Sequence, residues 1–405
     1  MKHVIVIGGG AAGLMAAYAA AKSGNSVVLL EKNEKLGKKL YITGKGRCNL
    51  TNDCSPDEFL AHVVRGGKFL TRAAYRFSAA ETMAFFEAHG LSLKVERGNR
   101  VFPVSDHASD VTKALERACR EAGVEILLGT QVQSVISEDG HVRGVRTAQR
   151  EFSCDTVIVA TGGLSYPSTG STGDGYRFAQ EAGHSVVQPI PSLVGIELAE
   201  DVCAAQGISL KNAVLTALRN GKVLFSQLGE LLFTHYGISG PLVLTVSALI
   251  NRIPLHEVAL SLDCKPALDE KTLDERLLRD FSERKNEQMK NVMRGLLPSG
   301  LTEIVLRAAQ VSAGKQANAV TKEERRRLMH TLKALSFTPK SLRGFSEAVI
   351  TSGGVELKEI NPATMESRKI KGLYFCGEVL DCDAFTGGFN LQIAFSTGYL
   401  AGISV

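Results

Sequence analysis

A glycine-rich turn and a single carboxylate are the first groups in this sequence whose types and spacing could do chemistry. The glycines follow the pattern Gly-x-Gly-x-x-Gly after a short apolar run, and Glu31 follows the next apolar run. Glycines so spaced allow a tight turn and bring backbone amides close to a pyrophosphate, while the acid can accept hydrogen bonds from a ribose. The set predicts a dinucleotide site, without deciding between NAD and FAD. The predicted contacts here are Gly8, Gly10, Ala11, Ala12, Gly13 and Glu31.

A second glycine-rich stretch, this one cationic, follows Glu31 almost at once. It runs from Gly37 to Asn52 and contains Gly44-Lys45-Gly46-Arg47-Cys48-Asn49. Backbone amides and positive charge placed here suit the pyrophosphate and ribityl chain of FAD, which lead to a ring further out. A solvated basic loop is the alternative, but such a loop would need no Gly-x-Gly spacing. We therefore predict FAD as the cofactor, with Gly44 and Asn49 among its contacts.

Two further turns follow apolar runs and complete the predicted cofactor site. The first follows Thr156 to Val159, and small residues there let the backbone pass close to a nucleotide. The second lies near the C-terminus, where a carboxylate can bind ribityl hydroxyls and the start of the last helix can stabilise negative charge on a reduced flavin. The predicted contacts are Ala160, Thr161, Gly162, Gly377, Glu378, Asn390, Leu391 and Gln392.

The candidates for substrate chemistry lie in the middle of the chain. His235 and Tyr236, within the segment Phe233 to Pro241, can donate protons, and hydride transfer to or from carbon needs a proton donor or acceptor. The alternative is structural, because Thr234 and His235 can also hydrogen-bond within a tight turn. The sequence leaves both interpretations open.

Several other reactive residues have simpler interpretations. Asp174 is predicted to cap the N-terminus of a helix that starts near Gly175. Cys48 and Cys376 stand beside the predicted cofactor motifs, but a buried cysteine most often acts as a small apolar filler. Arg100 and Tyr166 are further candidates for a substrate pocket.

As a set, these motifs resemble the BaiN/RdsA-type flavoproteins, a family that includes bile-acid-inducible reductases and an aminoacetone oxidase. The resemblance runs the whole length of the chain. The segments that carry it are Gly44–Asn52, Ala160–Gly163, Thr169–Tyr176, Leu232–Pro241, Thr351–Val355 and Gly372–Glu378.

The resemblance implies residue roles and an architecture beyond those that the motifs indicate. It implies an FAD domain of the two-dinucleotide-fold type, interrupted by a barrel-like domain that itself carries a helical subdomain. It also implies further cofactor contacts, in which Glu31 and Lys32 hold the adenosine part and the backbone of Val132 meets the adenine. The remaining implied contacts are Lys39, Leu40, Thr43 and Arg47.

The elements that must position these residues begin with a strand, a helix and a strand. The strands His3 to Ile7 and Ser26 to Leu30 are apolar after their first residue, as expected inside a parallel sheet that is covered on both faces. The fold class is therefore predicted as α/β, with a Rossmann-like FAD-binding domain, an inserted β-barrel-like domain and a small helical subdomain. The predicted domains are 1–190 with 345–405 for FAD, 191–264 with 336–344 for the barrel, and 265–335 for the helices.

Composition narrows the function classes further. The net charge of +5 over 405 residues is small, so we expect no nucleic-acid partner. The eight cysteines form no Cys-x-x-Cys pair and no zinc-like cluster with histidine, so we expect no metal, reduced thiols and a cytoplasmic location. Glycines interrupt the apolar N-terminus, so we expect no membrane segment. The sequence does not predict the oligomeric state.

These observations favour a flavin-dependent oxidoreductase that transfers a hydride between FAD and a small or apolar organic substrate. The first alternative is reduction of an activated C=C bond, with NADH or NADPH as candidate electron donor. The second is oxidation of an amine or aminoketone, with oxygen reoxidising the flavin. A third, a flavin-containing RNA-associated protein, rests on the basic run Arg325 to Arg327 and lacks the aromatic platform that RNA binding favours.

Overall fold

The computed structural model describes residues 1–405, and the chain divides into two compact units. We call Met1–Ser192 together with Phe345–Val405 the terminal unit, because it contains both chain ends. Leu193–Gly344 is the inserted unit. None of the helices combines the length and the apolar character that a membrane span requires.

The elements are numbered in chain order. The strands are β1 (His3–Ile7), β2 (Ser26–Leu30), β3 (Thr51–Asn52), β4 (Val63–Arg65), β5 (Leu93–Glu96), β6 (Arg100–Pro103), β7 (Glu125–Leu127), β8 (Val132–Glu138), β9 (His141–Thr147), β10 (Glu151–Ser153), β11 (Thr156–Val159), β12 (Val186–Ser192), β13 (Ile196–Leu198), β14 (Ser209–Arg219), β15 (Lys222–Phe233), β16 (Gly237–Ser239), β17 (Val258–Asp263), β18 (Leu335–Phe337), β19 (Pro339–Leu342), β20 (Ile350–Val355), β21 (Leu373–Phe375) and β22 (Asp383–Ala384). The helices are α1 (Ala11–Lys22), α2 (Pro56–Ala61), α3 (Gly67–Arg76), α4 (Ala79–Ala88), α5 (Ala108–Glu121), α6 (Asp174–Glu181), α7 (Pro241–Ile250), α8 (Glu270–Glu283), α9 (Met289–Val292), α10 (Ser299–Ala308), α11 (Lys322–Lys333) and α12 (Phe389–Ile403).

A five-stranded parallel sheet in the order β21-β11-β1-β2-β7 forms the centre of the terminal unit. Apart from their first residues, its inner strands are apolar and almost wholly buried, which agrees with the predicted Rossmann-like α/β fold. The register aligns Ile7 with Leu30 on one side and with Val159 on the other, and Val159 with Phe375. The four turns that follow these strands therefore emerge at one edge of the sheet.

Helices α1 and α12 pack against each other at very short range. A Cβ atom on Gly398 would lie 2.4 Å from the carbonyl oxygen of Ala12, so only glycine lets the two backbones come this close. The alanine-rich side of α1 is buried along the same contact. As a result, the start of α1 lies beside the middle of α12, and the two helices come from opposite ends of the chain.

Smaller sheets complete the terminal unit. They are the antiparallel sheets β10-β9-β8 and β3-β6-β5 and the pairs β12-β20 and β4-β22. The sequence pattern of apolar residues did not predict strand β12, because β12 contains Pro189 and Pro191. It is a strand because its one strand neighbour is β20, and proline is tolerated on such an edge.

The inserted unit contains a seven-stranded antiparallel sheet in the order β18-β17-β14-β15-β16-β13-β19. Its own hydrophobic core includes side chains of this sheet and of α8, α10 and α11. Helix α7 was not expected, because its sequence Pro-Leu-Val-Leu-Thr-Val-Ser-Ala-Leu-Ile resembles a buried strand. It forms a helix with Pro241 at its first position, where proline needs no amide, and it buries most of its length.

Candidate functional site

The turns at the carboxyl edge of the parallel sheet enclose an elongated cavity in the terminal unit. Its empty volume, the open mouth included, is about 1320 Å³. The lining comes from the turns after β1, β2 and β11, from the segment after β21, and from the first turns of α1 and α12. All of these residues belong to the terminal unit, and they come from both ends of the chain.

The turn after β1 depends on two close backbone contacts. Gly8 has a φ of +108°, and a Cβ atom there would lie 2.6 Å from the carbonyl oxygen of Ala160. A Cβ atom on Gly13 would lie 1.8 Å from the carbonyl oxygen of Gly8. Side chains at these positions would push α1 away from the sheet, so the glycine spacing has a direct structural cause.

Two helix N-termini face the cavity without any capping side chain. Gly10 caps α1 and Gly388 caps α12, and neither helix has an acidic residue in its first turn. The first amides of a helix lack intrahelical partners, and the helix dipole adds partial positive charge there. Both ends can therefore hold negatively charged groups of a ligand.

The Glu31 carboxylate is held at the end of β2 by donors from the protein. One oxygen accepts a hydrogen bond of 2.6 Å from the amide of Gly9, and the other accepts bonds from the amide and side chain of Asn33. Asn33 also donates to the carbonyl of Thr169. The carboxylate is thus fixed beside the glycine turn, where the sequence motif requires a ribose acceptor.

A second carboxylate, Glu378, forms a charged network in the wall of the cavity. Lys39 Nζ lies 2.6 Å from one carboxylate oxygen, while the Ser165 hydroxyl and the Thr351 amide donate to the other. Burial alone would raise the pKa of Glu378, but the charge of Lys39 and these hydrogen bonds lower it below its usual value. Glu378 is therefore an anion whose position is set by three donors.

A further ion pair joins Lys32 to Asp174, with 2.7 Å between Nζ and the carboxylate, and Lys32 also donates to Thr172. The prediction that Asp174 caps α6 is wrong. The helix starts at Asp174 itself, and the capping position is occupied by Gly173, which has a φ of +84°. Glycine adopts this conformation without strain, so the carboxylate is free to turn toward Lys32 and line the cavity.

The cavity fits FAD by two tests. A Cβ atom on Gly10 would meet no atom within 4 Å, so the space in front of the α1 N-terminus is open for a pyrophosphate. The Thr161 hydroxyl is buried, has no hydrogen-bond partner in the protein and lines the cavity. A bound polar ligand would satisfy it. Glu31, Glu378 and the start of α12 line the same cavity, so their predicted contacts to the ribose, the ribityl chain and the ring stay predictions.

Most of the residues predicted from the sequence to bind FAD lie around this cavity. The predicted residues that line it are Gly8, Gly10, Ala11, Ala12, Glu31, Lys32, Lys39, Leu40, Thr43, Val132, Ala160, Thr161, Gly162, Glu378, Asn390 and Leu391. The structure thus brings together the motifs after four separate strands and the start of the last helix.

Arg47, another predicted FAD contact, does not line the cavity. Its guanidinium bonds Asp106 and Glu96 and stacks over the ring of Phe102, 4.2 Å from the ring centre. Lys94 joins the same cluster. Glu96 and Asp106 come from segments that the FAD motifs do not include, and they attract the arginine outward.

Five other predicted residues also lie outside the lining. Gln392 is buried and bonds Thr51, Phe77 and Ser396. The amide of Gly377 donates a hydrogen bond to the hydroxyl of Thr397. The residues outside the lining, besides Arg47, are Gly13, Gly44, Asn49, Gly377 and Gln392.

The sequence motifs missed some residues of the lining and its support. Asn33 orients Glu31, and Ser165 bonds both Lys39 and Glu378. Ile350 and Cys382 line the cavity from the strand and the segment near Glu378. Glycine spacing marks backbone turns but not these side chains, whose partners are distant in the sequence. Among the parts of the lining that the motifs missed, only the segment Thr169–Tyr176 has a sequence pattern that could have identified it.

The other reactive residues that the sequence analysis names in the terminal unit lie outside the cavity lining. Cys48 and Cys376 are completely buried, and burial raises the pKa of both thiols, that of Cys48 to about 12. Such thiols are poor nucleophiles, which agrees with a packing role. Arg100 and Tyr166 do not line the cavity either.

His235 and Tyr236, the predicted catalytic residues, lie in the inserted unit. The turn is closed by the amide of Thr234, which donates to the carbonyl of Gly237 at 2.9 Å. The imidazole of His235 is exposed, is not hydrogen-bonded, and meets the Tyr236 ring edge-on at 5.0 Å between centres. The guanidinium of Arg343 lies over the Tyr236 ring, 4.5 Å from the ring centre. The turn therefore does not use the imidazole, and its catalytic role stays a prediction.

Comparison with known proteins places this geometry in context. The family described as "HI0933-like protein Rossmann domain" matches residues 2–404. The chain is 33% identical to the 3-dehydro-bile acid delta(4,6)-reductase of Clostridium scindens, over 99% of this chain and 98% of that protein. It is 34% identical to the ribosomal RNA dihydrouridine synthase of Haemophilus influenzae, over 99% of this chain and 98% of that protein.

Among solved structures, the fold is similar to the 3-ketosteroid-delta4-(5alpha)-dehydrogenase of Rhodococcus jostii RHA1. The TM-score is 0.55 at 17% identity, and the match covers 100% of this chain and 96% of that one. At this identity the similarity concerns the fold alone.

Proposed function

The chain belongs to the HI0933-like family and is a flavin-dependent oxidoreductase, and on this premise we propose that it reduces a C=C bond conjugated to a carbonyl group. FAD, bound along the cavity of the terminal unit, would supply the hydride in its reduced form. NADH or NADPH would supply the electrons. The observation that carries the proposal is the cavity, with two uncapped helix N-termini and two fixed carboxylates, in a chain similar over its whole length to a named C=C reductase.

The two relatives have different substrates but one kind of bond in common. A 3-dehydro steroid with a double bond at position 4 is an enone, and dihydrouridine is uridine with its ring C=C bond, also conjugated to a carbonyl, reduced. In both cases a hydride adds to the carbon remote from the carbonyl, and a proton adds to the carbon beside it. One flavin site would therefore serve either reaction.

Residues of this chain would then divide the work of hydride and proton transfer. The start of α12 would face the flavin ring, where its amides stabilise negative charge on the reduced cofactor. Glu378, fixed by Lys39, would orient the ribityl chain. His235 or Tyr236 would provide the proton or orient the carbonyl, as the sequence suggests.

RNA is a second candidate substrate, supported by where the charge lies. The terminal unit carries 26 basic and 26 acidic residues, whereas the inserted unit carries 21 and 16. The whole formal net charge of +5 therefore belongs to the inserted unit. A polyanion would be attracted to this unit, and a relative named as a ribosomal RNA dihydrouridine synthase matches over its full length. The composition-based expectation of no nucleic-acid partner thus gains no support from the comparisons.

Anaerobic stopped-flow spectroscopy tests the proposal in two half-reactions. In the first, loss of flavin absorbance on mixing with NADH or NADPH is compared with its loss on mixing with aminoacetone. In the second, the reduced enzyme is mixed with a 3-oxo-Δ4 steroid or with unmodified ribosomal RNA. Recovery of flavin absorbance, together with reduced product by mass spectrometry, identifies the acceptor.

The outcomes separate the alternatives. Rapid reduction by a nicotinamide and reoxidation by either C=C acceptor supports the proposal. Reduction by aminoacetone alone, with hydrogen peroxide formed on adding oxygen, would replace it with amine oxidation. If RNA is the acceptor, its reaction rate should fall steeply with added salt, whereas the rate with a neutral steroid should not.

A further inference from the structure

The turn between β22 and α12, residues 385–388, is closed by the side chain of Asn390. Its Oδ1 accepts a hydrogen bond of 2.9 Å from the amide of Ala384, and its Nδ2 donates to the carbonyl of the same residue at 2.8 Å and to that of Phe385 at 3.2 Å. A carboxamide that bonds both backbone groups of one residue acts as a neighbouring strand would. The side chain is therefore occupied within the chain, although Asn390 lines the cavity.

The other side of this turn is held by β3. A Cβ atom on Gly388, whose φ is +98°, would lie 2.3 Å from the carbonyl oxygen of Thr51, so only glycine allows this approach. The Nδ2 of Asn52 donates to the carbonyl of Gly387 at 3.1 Å. The turn is thus fixed between β3 on one side and Asn390 on the other, and this fixes the position at which α12 starts.

The side chains that hydrogen-bond this turn, Asn52 and Asn390, carry no charge. The first turn of α12 contains no acidic residue, and no side chain caps it. The amides of Asn390 and Leu391 belong to residues that line the cavity, and neither donates to an acceptor in the protein. An aspartate could also bond backbone amides near a helix start, but its charge would offset the partial positive charge there. The neutral side chain fixes the turn and leaves that charge available to a ligand.

We propose that Asn390 is a positioning residue for the flavin: its side chain sets the orientation of the first amides of α12, and these amides stabilise reduced FAD more than oxidised FAD. The inference rests on the proposed function only for its FAD site, in which the flavin ring lies at the start of α12. The contact that the sequence predicts for Asn390 is then made by its backbone amide, and the side chain supports it from behind.

The preference for the reduced form follows from charge. A reduced flavin carries negative charge on its pyrimidine side, and hydrogen bonds to a charged acceptor are about twice as strong as those to a neutral one. Misplaced amides therefore weaken the binding of reduced FAD more than the binding of oxidised FAD. A flavin whose reduced form is bound less well has a lower midpoint potential.

Potentiometric titration of the FAD-loaded protein against a reference dye tests the proposal without any substrate. Asn390→Ala should leave the affinity for oxidised FAD within about threefold of the wild type, and should weaken the binding of reduced FAD about tenfold further. For a two-electron couple, this tenfold difference lowers the midpoint potential by about 30 mV. A side chain that only supported the fold would weaken both forms alike and leave the potential unchanged.

Asn390→Asp separates position from charge. The carboxylate keeps the shape of the side chain and can still accept a hydrogen bond from the Ala384 amide, so this variant is expected to fold. It adds a negative charge at the start of α12, and it should therefore lower the potential at least as far as Asn390→Ala does.

Asn361→Ala and Asn361→Asp are the matched controls. Asn361 is also a half-buried residue of the terminal unit, and its Oδ1 accepts a hydrogen bond of 3.0 Å from the backbone amide of Ala363. It does not line the cavity. Both controls should keep the wild-type potential.

A wild-type potential in both Asn390 variants would overturn the proposal. An equal loss of affinity for oxidised and reduced FAD in Asn390→Ala, or a drop in potential of the same size in Asn361→Asp, would overturn it as well. If Asn390→Ala does not retain FAD, the potential of Asn390→Asp decides. The potentials do not depend on the acceptor, so a failure to reduce a C=C bond would refute the proposed activity alone, whereas a wild-type protein that takes up no FAD would overturn both.

Discussion

The cavity of the terminal unit and the Phe233–Pro241 loop of the inserted unit present different groups to a ligand. The cavity is formed largely by backbone, through glycine turns and uncapped helix ends, with carboxylates that the protein already holds. The loop presents side chains, among them an exposed imidazole and a phenol ring beneath a guanidinium. Backbone geometry requires glycine at fixed spacing, whereas side-chain chemistry has no comparable spacing rule. Cofactor retention and turnover should therefore fail separately when each region is changed.

The largest effect on the cavity is expected from Gly10→Val. The added side chain would enter open space in front of α1, where no protein atom lies within 4 Å, so the fold should tolerate it. It would occupy the position of the pyrophosphate, and FAD affinity should fall by roughly two orders of magnitude or more. Isothermal titration with FAD and the absorbance of the purified protein measure this.

The matched control for this change is Gly314→Val. Gly314 is exposed in the inserted unit, and a Cβ atom there also meets nothing within 4 Å. The Gly314→Val variant should retain FAD fully. Normal FAD affinity in Gly10→Val would mean that the glycine turn does not hold the phosphates.

In the inserted unit, His235→Ala should leave FAD content intact while slowing turnover by roughly two to four orders of magnitude, the usual range for a general acid or base. The imidazole forms no hydrogen bond that the fold would lose, so stability should change little. Steady-state rates with the acceptor identified by stopped flow are the measurement.

Tyr236→Phe helps to separate chemistry from packing at this loop. It keeps the ring beneath Arg343 and against His235, and removes only the hydroxyl. A rate loss in His235→Ala that depends on pH, with Tyr236→Phe close to wild type, would assign the proton to the imidazole. Normal turnover in His235→Ala would return this residue to a structural role.

A smaller, pH-dependent effect is expected from Glu378→Gln. The folded-state pKa of Glu378 lies below its ordinary value of 4.5, so its contribution to stability is complete above 4.5 and is lost as pH falls through the lower folded-state value. At neutral pH the substitution leaves Lys39 without its anion and should cost about 1–3 kcal/mol. Thermal denaturation across neutral and acidic pH measures both effects.

The difference between Glu378→Gln and the wild type should shrink as the pH falls below 4.5, because the wild-type carboxylate becomes protonated there. A difference that stayed constant down to the lowest accessible pH would mean that the charge of Glu378 does not stabilise the fold. Ser165→Ala provides a comparison, since it removes one donor to Glu378 and leaves Lys39 in place.

The sequence predicted the backbone part of this molecule well and its side-chain networks poorly. The β1–α1–β2 unit and the turns at Ala160 and Glu378 follow from glycine and apolar patterns, and the structure confirms the Rossmann-like fold that these patterns predict. Such patterns are local, because each reflects a steric requirement of neighbouring residues. The resemblance to a flavoprotein family, confirmed by the match over residues 2–404, supplied the rest.

Long-range partners could not be predicted in the same way. Lys39 and Glu378 are brought together only when the two chain ends fold into one sheet, and Ser165 joins them from a third turn. Helix α7 was missed because its apolar, β-branched sequence suits a strand as well as a buried helix. The predicted three-domain boundaries and the catalytic role of His235 stay predictions.

The smallest effect is expected from Arg47→Gln, and it sharpens the comparison within a single loop. Lys39 and Arg47 both come from the cationic stretch after Glu31, and both were predicted to contact FAD. Lys39 lines the cavity beside Glu378, whereas Arg47 points to Asp106 and away from the lining. Arg47→Gln should therefore change FAD affinity by no more than about twofold, since exposed ion pairs contribute little.

Lys39→Gln is the matched change on the cavity side of the same loop. It removes a cation from the wall that faces the cofactor and leaves Glu378 without its ion pair, so FAD affinity should fall by about tenfold. Fluorescence titration of FAD into both variants gives the two values side by side. An equal loss in both would mean that positive charge anywhere on the loop attracts the cofactor. A loss confined to Lys39→Gln would mean that FAD is held by the position of one ammonium group, and that Arg47 instead fixes the loop through its bonds to Glu96 and Asp106.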